Sequence, residues 1–342
     1  MKTGIVYDEV FTKHAYSGHP ENFDRLVAIR TLLTEKEILN LTTPVSARTA
    51  TDEELELCHH SHYISQVKAL SLRGGGMLDP DTYMNEYSCE AASKAVGGMI
   101  DLTTKILTGE LNNGFALTRP PGHHATPNRG MGFCIFNTVA VAASALQTYH
   151  DCARVVIVDF DVHHGNGTQD ILEDNASIMY ISSHQFPHYP GTGNFNAIGS
   201  KNAQGTKINI PLPHGTGDSG LKLAYSEIVF PVIKRFSPDF ILISAGYDGH
   251  WQDYLAGLNF SLSGYHWLVT ELINLADECC QGRIAFCLEG GYHRKVLANG
   301  VVNAFWSLLG QSDQVDDPIG SFQGHETDIT AVVDKLKTIH NL

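Results

Sequence analysis

The chain has 342 residues and lacks most of what would suit it to a membrane, a disulfide scaffold or a nucleic-acid backbone. Its seven cysteines are odd in number and form no CxxC pair, so reduced and mostly buried thiols in a cytoplasmic compartment are expected. No run of about 18 apolar residues occurs, which argues against a hydrophobic helical span. The stretch Met1–Pro20 has no apolar core followed by a small-residue cleavage site, so no secretory signal is expected. Basic residues are scarce. Lys+Arg 23 against Asp+Glu 37 gives a net charge of -14, which argues against direct nucleic-acid binding and permits attraction of a cationic substrate. No internal repeat, low-complexity linker or composition shift divides the chain, and residues 1–342 read as one domain.

What is present is a large supply of core material, 43% of residues being hydrophobic. Six apolar runs read as strands: 114–119, 154–161, 177–183, 207–212, 239–248 and 283–291. Their interiors are continuously apolar rather than alternating, as in parallel strands covered on both faces. Helical patterns lie between them at 137–150, 220–236 and 264–280, with two more upstream at 22–36 and 86–107. Pro231 is expected to kink or split the 220–236 helix. The alternation predicts an α/β fold, an open and mostly parallel sheet with helices on both faces.

Polar residues cluster where these strands end: "RPPGHHA", "DFDVHHGNG", "SAGYDGH" and "LEGGYH". Ligands bind at that edge in doubly wound folds, so four segments converge on one crevice. Residues two apart in a strand share a side, which puts Asp159, Asp161 and His163 on one face. Asp161 and His163 make a two-ligand arm, and Asp248 at its own strand end supplies a third ligand. Two carboxylates and one imidazole leave a tetrahedral Zn²⁺ with an open position, a catalytic pattern. The alternative is that these side chains only cap turns and helices. His123 and His124 follow a Pro-Pro-Gly turn that would hold both imidazoles in place, suiting an acid–base pair. Tyr292 after Gly290 and Gly291 can swing over the pocket and donate to a developing oxyanion, or it can simply pack beside the turn. The His-His of "CHHSHY" (58–63) lacks such a context and reads as a helix start near the surface, outside the site.

Together with "SGHPENFDRL" and "GFCIFN", these motifs resemble the zinc-dependent histone deacetylase and acetylpolyamine amidohydrolase superfamily, in a class II-like form. The resemblance runs from about residue 16 to about residue 310. It implies the three-layer arginase–deacetylase fold and hydrolysis of a short N-acyl amide on an amine chain. It also implies Asp161, His163 and Asp248 as ligands of one Zn²⁺, with Asp159 bonded to His123 and Asn166 facing His124. Phe133, Tyr189, Gly132 and Gly290 would line a narrow tunnel with Leu255 at its rim. A structural K⁺ would use Asp159, main-chain oxygens of Asp161 and His163, and Ser182 and Ser183. The sequence departs from the family pattern at "WQDYLAG" (251–257) and at His293, both near the rim.

The implied substrate is an acylated lysine in a peptide or protein, or a small acylated amine such as an acetylpolyamine. The acidic stretch 78–92, with Asp79, Asp81 and Glu86, can greet a cationic chain or be a solvated loop. No long insertion narrows the entrance there, which favours acyl-lysine. Two rivals remain. A binuclear ureohydrolase shares the fold but needs further metal carboxylates, which Asp253 is too far along the chain to supply. An inactive acyl-lysine-binding module would not need the full set of histidines, ligands and Tyr292.

Overall fold

The computed structural model describes residues 2–342. Ten strands are found in chain order: β1 (Thr3–Val6), β2 (Thr42–Val45), β3 (Gly75–Asp79), β4 (Thr82–Asn85) and β5 (Asn113–Ala116). There follow β6 (Val155–Asp159), β7 (Ile178–Gln185), β8 (Lys207–Leu212), β9 (Phe240–Ala245) and β10 (Ile284–Leu288). Eight of them form one sheet in the order β2-β1-β5-β10-β9-β6-β7-β8, and every neighbouring pair is parallel. β3 and β4 form a separate antiparallel hairpin.

All six strands expected from the sequence belong to the large sheet. Each is buried along its whole length, which accounts for the absence of polar alternation. The two that the pattern did not reveal, β1 and β2, are four residues long, and β2 (TTPV) is a half-exposed edge strand containing Pro44. Helices Asp24–Glu35, Ser88–Leu107, Thr138–His150 and Leu262–Cys280 fall within two residues of expectation. The 220–236 segment is helical from Asp218 to Phe236, with a widened π turn at Tyr225–Val229 that ends two residues before Pro231. A proline inside a helix clashes with the carbonyl four residues back and offers no N–H, and the π turn absorbs both defects.

Parallel strands bring every C-terminal end to the same edge. β5, β10, β9 and β6 lie side by side at the sheet centre, and these four are followed by the four polar segments. Among the described residues no helix is long and apolar enough to cross a membrane.

Candidate active site

The floor of the crevice is built by β6 and β9, which pair in register from Val155↔Phe240 to Asp159↔Ser244. Beyond that register the loops after the two strands run together. His163 Nδ1 lies 3.1 Å from Asp161 Oδ1 and 3.3 Å from Asp248 Oδ2, and one ligand atom from each residue falls within a 4.8 Å group. Asp161 and Asp248 are buried and His163 nearly so. Asp248 Oδ1 accepts the Val162 N–H at 3.0 Å, whereas Asp248 Oδ2 has no hydrogen-bond partner. An unsatisfied buried carboxylate oxygen is costly unless a cation meets it. Two carboxylates facing one imidazole therefore fit a divalent ion. Burial opposes charge on His163, yet Asp161 and Asp248 push its pKa up to about 10; an ion would take the place of that proton. The backbone makes room for this group. A Cβ on Gly290 would stand 2.2 Å from Asp248 Oδ2 and 2.5 Å from Asp161 Oδ2.

The loop after β5 carries the tandem histidines, whose ring centroids are 4.0 Å apart. Their surroundings separate them. His123 Nδ1 pairs with Asp159 Oδ2 at 3.0 Å, and that oxygen also accepts the Tyr180 hydroxyl at 2.9 Å. Burial opposes protonation of His123, but Asp159 and then Asp161 raise its pKa to about 10. His124 Nδ1 meets the neutral Asn166 Oδ1 at 2.9 Å. Burial, with His123 and His163 nearby, holds its pKa well below the usual value for histidine. Side by side stand an imidazole whose surroundings favour the cation and one whose surroundings favour the neutral form.

Tyr292 follows β10, and both sides of its turn are clamped. Asp253 Oδ2 accepts the Tyr292 and His293 N–H groups at 2.7 and 2.9 Å, while its Oδ1 accepts Leu255 N–H at 3.1 Å. Arg25 donates to the carbonyls of Glu289 and Gly291, and its guanidinium lies 5.1 Å over the Tyr292 ring. Burial, then Asp248, pushes the Tyr292 phenol well above its usual pKa, so it remains a neutral donor.

These groups border a cavity of ≈ 220 Å³ lined by His123, His124, Gly132, Phe133, His163, Tyr189, Leu255, Gly290 and Tyr292, together with Asp81, Pro121 and His188. Phe133 meets Tyr292 edge-on at 5.9 Å, and Tyr189 meets His124 edge-on at 5.2 Å. Gly132 has φ +55, and a Cβ there would lie 2.4 Å from His124 Cδ2, so only glycine allows this approach. Ser182 Oγ bonds His184 Nδ1 and Ser183 Oγ bonds the Tyr225 hydroxyl, each at 2.9 Å, with Ser182 in register beside Asp159. His164 turns away from the ligand group to Thr192 Oγ1 and Gln169 Oε1.

The structure corrects the reading of "CHHSHY". His60 caps the helix Ser61–Leu72 and is exposed, as expected, but His59 is 2% exposed. Its Nδ1 lies 3.0 Å from the Thr126 carbonyl and its Nε2 accepts the Asn137 N–H at 2.9 Å. It braces the chain on either side of the cavity wall. Glu21, Arg25, Arg119, His188 and Glu289 were not singled out from the sequence. Apart from the i,i+4 pair of Glu21 and Arg25, their partners lie far away in the chain, and local spacing carries no signal for that. The acidic stretch divides: Asp79 accepts the Thr82 N–H at 2.8 Å as a turn residue, whereas Asp81 faces the cavity.

Comparison with known proteins meets this geometry directly. The model of the histone deacetylase domain matches residues 19–308. The chain belongs to the histone deacetylase family. This histone deacetylase family member is 36% identical to Histone deacetylase 10, chloroplastic, of Oryza sativa subsp. japonica, over 96% of this chain and 79% of the relative. It is 39% identical to a probable deacetylase of Archaeoglobus fulgidus, over 85% and 82%. Against the crystal structure of the HDA15 HD domain the TM-score is 0.89 at 36% identity, covering 99% of this chain and 96% of that one. The family supports a deacetylase, a hydrolase of amide bonds, and is zinc-dependent in general.

Proposed function

We propose that this deacetylase hydrolyses the N-acetyl, or another short N-acyl, amide of a lysine side chain in a peptide or protein, releasing carboxylate and free amine. The observation that carries this reading is the unequal pairing of the two imidazoles at the end of a narrow cavity, His123 with Asp159 and His124 with Asn166. Asp161, His163 and Asp248 would hold one Zn²⁺. When bound, that ion supplies Lewis acidity to the substrate carbonyl and lowers the pKa of water. A monovalent cation, K⁺, would be held by Asp159, the main-chain oxygens of Asp161 and His163, and Ser182 and Ser183.

The protein's own groups do the rest. Phe133 and Tyr189 flank the aliphatic stem, and Leu255 sits at its entry. His124, neutral at working pH, takes a proton from the attacking water and returns it to the leaving nitrogen. His123, kept cationic by Asp159, steadies negative charge near the reacting carbon. The Tyr292 hydroxyl donates to the oxyanion as it forms. Asp253 and Arg25 fix the turn from which Tyr292 reaches in.

A free small amine is the second reading, because Asp81 faces the cavity and the chain carries a net charge of -14. Comparing kcat/KM for acetyl-lysine peptides with that for acetylated putrescine and spermidine tests the choice. Higher values for the peptides are expected, and preference for the polyamines would overturn the lysine assignment. A cytoplasmic setting accords with seven free cysteines.

A further inference from the structure

A second set of ligand atoms stands beside the first. His123, Cys134 and Glu289 bring a ring nitrogen, the thiol sulfur and a carboxylate oxygen within 4.8 Å of one another. They come from three separate segments: the loop after β5, the "GFCIFN" turn and the residue just after β10. The three residues are 2%, 0% and 0% exposed. The group adjoins the zinc position, since His123 Nε2 lies 3.9 Å from Asp161 Oδ1.

Hydrogen bonding does not exhaust these atoms. Glu289 Oε2 accepts the Gly122 and His123 N–H groups at 2.7 and 3.2 Å, and Oε1 accepts the Ser244 hydroxyl at 3.2 Å. A carboxylate offers about four acceptor positions, so one remains. Cys134 Sγ accepts the His124 N–H and donates to the Gly132 carbonyl, both at 3.4 Å. That donated thiol hydrogen is the one a metal replaces. His123 keeps one ring nitrogen beyond the bond to Asp159. A thiolate, an imidazole and a carboxylate form a donor set for zinc-type ions and a poor one for Mg²⁺ or Ca²⁺. The ion can arrive through the cavity, which His123 and Gly132 both line.

We propose that His123, Cys134 and Glu289 form a second, inhibitory site for a zinc-type divalent ion, which when filled ties up an imidazole needed for turnover. Binding forms metal–sulfur and metal–nitrogen bonds and releases the thiol proton and the imidazolium proton of His123 to solvent. The inhibition rests on the role given to His123 under Proposed function, whereas occupancy of the site does not.

Cobalt separates the two ions, because the Asp161, His163, Asp248 site contains no sulfur. Metal-free protein is titrated with Co²⁺, following thiolate-to-cobalt charge-transfer absorption, bound metal per chain and acetate release. The first equivalent is expected to restore activity without the thiolate band. The second is expected to raise the band and lower activity by about tenfold or more. Cys134→Ser and Cys134→Ala are expected to bind a single equivalent, show no band and stay active in excess Co²⁺ or Zn²⁺. Uptake of only one equivalent by the unaltered protein would overturn the proposal, as would a band that persists in both variants. A band that depends on Cys134 in a protein with no deacetylase activity would support the metal site and refute the function instead.

Discussion

Glu21 and Asp248 are both fully buried carboxylates, and their surroundings differ in kind. Glu21 is enclosed by cations: Arg25 Nη1 at 3.0 Å, Arg119 Nη2 at 2.7 Å and Arg119 Nε, with the Tyr83 hydroxyl beside them. Burial works against its charge, but Arg119, His14 and Arg25 outweigh it and hold the carboxyl well below its usual pKa. Asp248 has one imidazole, a neighbouring carboxylate in Asp161 and an oxygen with no hydrogen-bond partner, and burial followed by Asp161 raises its pKa. The first group is electrostatically closed and holds the fold together. The second is open, and that openness is what fits it for an ion. Whether a buried charge is compensated says more about its task than burial alone.

Breaking each group should therefore give opposite signatures. Asp248→Ala is expected to lower turnover by roughly 10³-fold or more and to abolish stoichiometric zinc binding. Removing a like charge from beside Asp161 should offset much of the lost Val162 N–H bond, so the metal-free protein should be destabilised less than by Glu21→Gln. A metal-free Asp248→Ala variant melting as low as Glu21→Gln would erase the distinction. Glu21→Gln should do the reverse, costing about 3–5 kcal/mol of stability by leaving two arginines partly uncompensated, with the zinc content unchanged. Its pH dependence sharpens the point. A depressed folded pKa contributes stability that is present above the ordinary carboxylate value of about 4.3 and is lost as pH falls towards the folded value. In urea titrations the gap between parent and Glu21→Gln should be full at neutral pH and shrink below that value. A constant gap would show that charge is not the cause.

Within the open group a finer contrast can be tested. His124→Ala is expected to lower kcat by about 10²–10⁴-fold, and His123→Ala by less. Equal losses, or a larger loss at His123, would reverse the assignment of the base. Tyr292→Phe removes one oxyanion donor and should cost about 10²-fold in kcat with little change in KM. Near-normal turnover would take the phenol out of the mechanism.

The open group was largely legible in the sequence and the closed one was not, for a physical reason. Asp161, His163 and Asp248 lie in the loops just after apolar strands, where polar residues interrupt a pattern and parallel topology brings the strand ends to one edge. Glu21 and Arg119 are 98 positions apart. Glu21 precedes a helix and Arg119 ends an apolar run, both ordinary places for a charge. His59 misled because a histidine in a polar hexapeptide resembles surface, while the Asn137 N–H that it accepts lies 78 residues away. Asp253 was weighed only as a possible metal ligand and set aside, and its role as the acceptor for Tyr292 and His293 depends on a loop fold that spacing does not encode. Strands β1 and β2 escaped because four residues carry too little period to register.

The clamp that Arg25 places on the turn at residues 289–291 also has a consequence for when the protein becomes active. A ribosome supplies Arg25 long before Tyr292, and the helix Arg294–Leu308 that packs on Asp24–Glu35 comes later still. Until the last strand of the large sheet has been inserted between β5 and β9, Arg25 has no turn to grip and Tyr292 no fixed aim.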